Sequence, residues 1–149
     1  MAMTRCYTLL LAALVALTAL PGRAEPERLQ PQAGDIDIKP ATWREMVMGK
    51  TVYYSALGEH WGREYYWPGT NRVTFQHASG DCAEATWEHD PVTLEYCFYF
   101  DRPNCFRHMR RGEEIVILPT NPEPTTLNVE QMVTNITVAP FSCAPDIVS

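Results

Sequence analysis

The chain lacks the short signatures that carry most enzyme chemistry. It has no glycine-rich phosphate loop, no nucleophile elbow, no zinc-protease motif and no Cys-x-x-Cys. Without Cys-x-x-Cys no thiol pair is poised for redox exchange or haem attachment. Its four histidines, His60, His77, His89 and His108, share no zinc spacing with one another or with a carboxylate, so neither a metal nor a cofactor is expected. Paired carboxylates such as Glu84 and Glu88 are ordinary on an exposed strand face, and no catalytic residue stands out. Positive charge is also scarce. Twelve Lys and Arg against 18 Asp and Glu give a formal charge of −6, so nucleic acid and anionic lipid are repelled at long range and are not expected partners. The one apolar run, Leu9 to Leu20, is about half of what a bilayer span needs. Stable membrane insertion is therefore not expected, and no internal repeat or low-complexity tract is visible.

What is present begins with that run. Met1 to Arg5 is a short basic start, and Pro21-Gly22-Arg23-Ala24 supplies small residues for cleavage after Ala24. Residues 1–24 are thus expected to be a signal peptide and the mature protein to be periplasmic or secreted, in a manner that suits a bacterium. Removal takes away two basic residues, Arg5 and Arg23, and no acidic one, which lowers the charge from −6 to −8. It also removes Cys6, which precedes the apolar run and so does not mark a lipid-attachment site. Cys82, Cys97, Cys105 and Cys143 remain, an even set in an oxidising compartment, and read as two disulfides.

Residues 25–40 are polar, carry Pro26, Pro31, Pro40 and Gly34, and have no apolar period; they read as a flexible lead segment. Residues 41–149 read as one β-rich domain. Thr42-Trp43-Arg44-Glu45 has capping-box spacing, and Trp43, Met46 and Val47 form a stripe before Gly49, which predicts a helix of about two turns. From Thr51 the period switches to two. Strands are expected at Thr51–Leu57, Arg63–Trp67, Arg72–Ala78, Cys82–Glu88, Val92–Phe100, Cys105–Arg110 and Glu113–Leu118, separated by turn residues such as Pro68-Gly69, Ser79-Gly80 and Arg111-Gly112. The expected fold is all-β with minor α, an antiparallel meander or small barrel with a short N-terminal helix and disulfide staples. Over residues 128–138, Val129, Met132, Val133 and Ile136 favour a helix slightly over a strand.

Three pairings of the cysteines exist. A two-residue hairpin loop at His89-Asp90 would set Cys82 opposite Cys97 and leave Cys105 for Cys143, but it would also oppose Glu84 to Glu95, a like-charge pair. The residues alone leave the pairing open. Tyr65-Tyr66-Trp67-Pro68-Gly69, then Gly80, Trp87, Cys97, Cys105-Phe106 and Gly112 resemble an uncharacterised family of small exported bacterial proteins over roughly residues 49–118. The resemblance implies a lipocalin-like β-barrel or half-barrel and brings no established activity. It also implies Cys97–Cys105 closing a hairpin, with Cys82 and Cys143, additional to its pattern, as each other's partners.

Tyr53, Tyr54, Trp61, Tyr65, Tyr66 and Trp67 concentrate at the start of the meander. Alternate ones would point inward, either as ordinary packing or lining an apolar pocket with polar handles. His77 shares a face with Val73 and Phe75, where a core histidine satisfied by a tyrosine or backbone group is the plainer reading. Tyr54, Tyr66, Trp67 and His77 are the candidate ligand-binding residues. Arg102, Arg107, His108, Arg110 and Arg111 form a basic cluster, read as a charged edge that blocks strand addition or, through Arg107, Arg110 and Arg111, as a docking surface. The expected function is non-catalytic binding of a small apolar or aromatic ligand or of an envelope protein. The rivals are a secreted interaction or inhibitor domain using the Arg107–Arg111 hairpin and an enzyme with an unrecognised site. A cavity would favour the ligand binder, a filled core with a flat exposed aromatic or basic patch the interaction domain, and convergent acid, base and donor groups in a cleft the enzyme.

Overall fold

The computed structural model describes residues 29–121 and 128–143; the segment assigned to the signal peptide lies outside the described residues. Antiparallel strands β2 (Thr51–Ala56), β3 (Glu59–Tyr66), β4 (Arg72–His77), β5 (Cys82–Asp90), β6 (Glu95–Tyr99), β7 (Pro103–Arg111), β8 (Glu114–Pro119) and β9 (Gln131–Thr137) pair in sequence order. β9 returns to β2 and the sheet closes as a barrel. Closure removes the free edges that a meander of this length would expose. The two-residue strand β1 (Ile36–Asp37) pairs with β7 beyond the end of β6.

Helix α1 (Pro40–Val47) plugs one end of the barrel. It starts three residues earlier than the capping-box spacing predicts, with Pro40 in the first turn and Lys39 at the cap making no side-chain hydrogen bond. Proline is suited to that position because its missing N–H would be unsatisfied there in any case. Trp43 is fully buried and meets Tyr66, Tyr96 and His108 edge-on, with centroid distances of 5.9, 6.3 and 4.5 Å. Trp87, 1% exposed, continues this layer against Tyr66, Tyr96 and Phe98.

The lead segment is not a free tail over its described part. Ile38 is buried, and the Tyr96 hydroxyl donates to its carbonyl at 2.6 Å. Arg107 binds Asp37 through two nitrogens, and Arg111 binds Asp35 in the same way while reaching Glu130 at 2.7 Å. Leu29 packs on a small second core of Met109, Val116 and Leu118 on the outer face.

Residues 131–137 are a strand, not the expected helix. A bulge explains the misleading spacing: Tyr53 pairs with Asn135 while Tyr54 pairs with Val133. Thr134 is therefore extra, and the inward residues Val133 and Ile136 sit three apart, as they would on a helix. The hairpin between β5 and β6 is not the two-residue His89-Asp90 loop that would have set Cys82 opposite Cys97. Asp90 pairs with Glu95, and its carboxylate accepts the N–H groups of Val92 and Thr93 across the turn. Cys97 consequently faces Glu88 and not Cys82.

The disulfides are Cys97–Cys105, which bridges adjacent positions of β6 and β7, and Cys82–Cys143. The second fastens the C-terminal segment, which runs over the outside of the barrel from β2 and β3 to Cys82 at the start of β5. Along that path Thr51 donates to the Ala139 carbonyl, and the Phe141 ring lies 4.2 Å from the Arg63 guanidinium. Two disulfides fit an oxidising compartment.

Candidate functional site

The interior is not filled. Below the layer of Trp43, Trp87 and Tyr66, a cavity of about 650 Å³ occupies the half of the barrel away from α1 and reaches the surface at Asp81 and Asn121, both exposed. Its position follows from strand phase. Phe75 on β4, Phe98 and Phe100 around the end of β6, and Phe106 on β7 continue the inward series, while Ala83 on β5 presents only a methyl group. Phe75, Phe100, Phe106 and Trp61 are only half-buried. They line the cavity instead of packing fully together, although Phe75 and Phe100 meet edge-on at 6.2 Å.

Gly62 lets β3 and β4 approach closely at this point. A Cβ there would stand 2.7 Å from the Gln76 carbonyl oxygen and 2.8 Å from the Phe75 ring. Trp61, next to it, is the residue by which β3 exceeds β2, since Tyr54 pairs with Gly62 and Ser55 with His60. The bulge turns the indole into the cavity.

Glu64 is the polar centre. It is 5% exposed, inside the barrel, and lines the cavity together with Tyr54 and His108. The hydroxyls of Tyr54 and Tyr66 donate to the same oxygen, Oε2, at 3.0 and 2.6 Å. Among the described residues Oε1 takes no hydrogen bond, and no cation pairs with the group. Burial pushes the carboxyl from 4.5 up to about 7, against the two tyrosine hydrogen bonds, which favour the charged form. The same burial, reinforced by Glu64, drives both tyrosine hydroxyls well above their usual range. His108 stacks on Tyr96 at 4.1 Å, and its Nδ1 is buried without a partner among the described residues. Burial lowers the imidazole to about 3, so it is neutral at ordinary pH.

The candidate ligand-binding residues separate. Tyr54 lines the cavity, whereas Tyr66 serves it indirectly, by holding Glu64 beneath the α1 plug. Trp67 is on the outside, its indole N–H donating to Thr74 Oγ1 at 3.0 Å and its ring against Tyr65. His77 is not a core histidine; it is half-buried at the cavity mouth, edge-on to Trp61 at 4.7 Å, with Nδ1 bonded to Ser79. The basic cluster is largely spent internally, since Arg107 and Arg111 hold the lead segment, and Arg110 is exposed with its guanidinium near Met46 Sδ. Nor is β7 an edge, because it has strands on both sides. Of the described residues, the one group close enough to hold a metal is Glu95, Cys97 and Cys105, whose sulfurs are bonded to each other.

Sequence reasoning missed Glu64 and the inward role of His108. Both had a signal. Glu64 is two residues from Tyr66 and Gly62, and His108 two from Phe106, which puts each on the inward face by period two. Compared with protein-family models, curated proteins and solved structures, the chain finds no match.

Proposed function

We propose that this protein is an exported, non-catalytic binder of a small apolar or aromatic ligand, with a barrel of the lipocalin-like kind. The observation that carries the reading is the cavity of about 650 Å³, open at one end, plugged at the other and lined by half-buried aromatic rings. Its size falls within the range of small-molecule sites. Burial of the ligand against Trp61, Phe75, Phe98 and Phe106 would supply affinity, and Glu64 with Tyr54 would fix orientation. The Met1–Ala24 signal and the disulfides support a periplasmic or secreted location. No membrane-spanning helix occurs among the described residues.

An environment-sensitive apolar dye should bind the folded protein saturably at one site. Ala83→Trp, which places an indole at an exposed position of the cavity wall, should abolish that binding and leave the unfolding transition in place. Absence of saturable binding, or binding indifferent to Ala83→Trp, would count against the cavity. An enzymatic reading has one observation on its side, the convergence of Glu64 near neutrality with neutral His108. Recovery of a bound ligand chemically altered would support catalysis; recovery unchanged supports a binder.

A further inference from the structure

A buried carboxyl in an aromatic cavity specifies more than apolarity. Among the described residues the lining of the cavity contains no Lys or Arg, and the titratable groups facing Glu64 are Tyr54 from β2, Tyr66 from β3 and His108 from β7, with His77 and Asp81 at the mouth. The tyrosines are neutral donors and both are committed to Oε2. His108 is held uncharged by burial. Glu64 Oε1 is thus left as an acceptor with no donor among the described residues, in surroundings where an ionised carboxylate needs a countercharge.

Resting on the binder reading above, we propose that the cavity takes an organic cation, an arylalkyl amine whose protonated nitrogen is bound by Glu64 Oε1 and whose ring lies among the phenylalanines and Trp61. The lining suits both parts of such a molecule. Aromatic faces carry negative charge density that attracts an ammonium group as well as packing against an aryl ring. Asp81 at the mouth adds a carboxylate on the entry path, and the acidic chain favours approach of a cation. An anionic head group would instead meet Glu64 with nothing to neutralise it.

The proton on Glu64 makes the idea testable without any variant. A primary amine stays protonated from pH 5 to 8, but to pair with it Glu64 must release its own proton, held up to about 7 by burial. Affinity for an amine should therefore rise with pH, by up to about tenfold per unit below 7, and level off above. The experiment is calorimetric titration of the purified, disulfide-bonded protein with three probes sharing one ring system: tryptamine, tryptophol and indole-3-propionate. Tryptamine should bind at pH 8 at least tenfold more tightly than the other two and weaken at least tenfold by pH 5. Tryptophol should show no such dependence, and Glu64→Gln should erase the preference for tryptamine. Equal or tighter binding of tryptophol or indole-3-propionate would overturn the cation proposal. So would a tryptamine preference that survives Glu64→Gln or is flat with pH. If none of the three binds while the apolar dye does, the cation proposal falls and the cavity reading stands; if the dye also fails, both fall.

Discussion

Replacing Glu64 by glutamine should unmask a pH dependence of stability that the wild-type barrel conceals. Burial raises the Glu64 carboxyl from 4.5 to about 7, so the folded state keeps a proton that the unfolded chain gives up. Its contribution is complete below pH 4.5 and is lost as pH rises through 7. At roughly 1.4 kcal/mol per pH unit, that interval is worth roughly 3 kcal/mol. His108 acts with the opposite sign. Its imidazole drops from 6.5 to about 3, so the folded state refuses a proton that the unfolded chain accepts, and its contribution is complete above 6.5 and lost as pH falls toward 3. Between pH 4.5 and 6.5 the two slopes cancel. In Glu64→Gln the His108 slope is no longer opposed, and relative to wild type stability should climb by roughly 3 kcal/mol from pH 4.5 to 6.5. In His108→Phe, which keeps a ring against Tyr96, stability should instead fall by roughly the same amount between pH 4.5 and 7. Urea unfolding followed by tryptophan fluorescence at half-unit steps from pH 4 to 8 measures both. The quantity to read is the difference from wild type, since the lowered His89, Asp35 and Asp90 are common to every curve. A difference that is constant across this range for Glu64→Gln would refute the reasoning, because Glu64 would then titrate alike in the folded and unfolded states.

Two further outcomes follow from the packing and the staples. Trp87→Ala should cost about 3–5 kcal/mol in the same unfolding assay, as for deletion of a large buried aromatic; a loss below about 1 kcal/mol would mean that Tyr66, Tyr96 and Phe98 close over the space. Non-reducing peptide maps should show Cys82 linked to Cys143 and Cys97 to Cys105, with no alkylatable thiol among these four. Replacing both Cys82 and Cys143 by serine should cost about 4 kcal/mol, because that bridge spans 61 residues, against about 2–3 kcal/mol for the bridge spanning eight. Equal costs would indicate that loop closure is not what the longer bridge contributes.

Most of the barrel was legible because its strands obey period two and end at recognisable turns. Cys82–Asp90 and Pro103–Arg111 extend past the expected strands but keep their phase. The failures have local causes. Asp90-Pro91 marks the start of a turn, but Leu94 adopts φ 62°, a left-handed conformation that leucine rarely signals, so the length of the turn was hidden and the run from Val92 read as strand. Val92 and Leu94 are exposed in that turn. The bulge at Thr134 imitated a helical spacing. For the site, an acid among tyrosines reads as a solvated strand residue until the alternation is followed through Gly62, Glu64 and Tyr66. His108 was masked by the arginines around it in sequence, of which Arg107 reaches Asp37 and Arg111 reaches Asp35 on the outside of the barrel.

The connectivity of the bridges bears on how the molecule reaches its oxidised form. Cys97–Cys105 is nested inside Cys82–Cys143. For a chain delivered N-terminus first into an oxidising compartment, Cys82 and Cys97 arrive as the earliest thiols, and their pairing is non-native. Native oxidation therefore requires the β6–β7 hairpin to bring Cys105 to Cys97 before an oxidant captures Cys97 with Cys82, or else a thiol exchange that undoes the mistake. Cys82 must then wait as a thiolate or mixed disulfide until β9 has closed the barrel and carried Cys143 across its outer face. Barrel closure and the last oxidation are in this way one event, and the yield of this protein should respond to disulfide isomerase more than to disulfide oxidase.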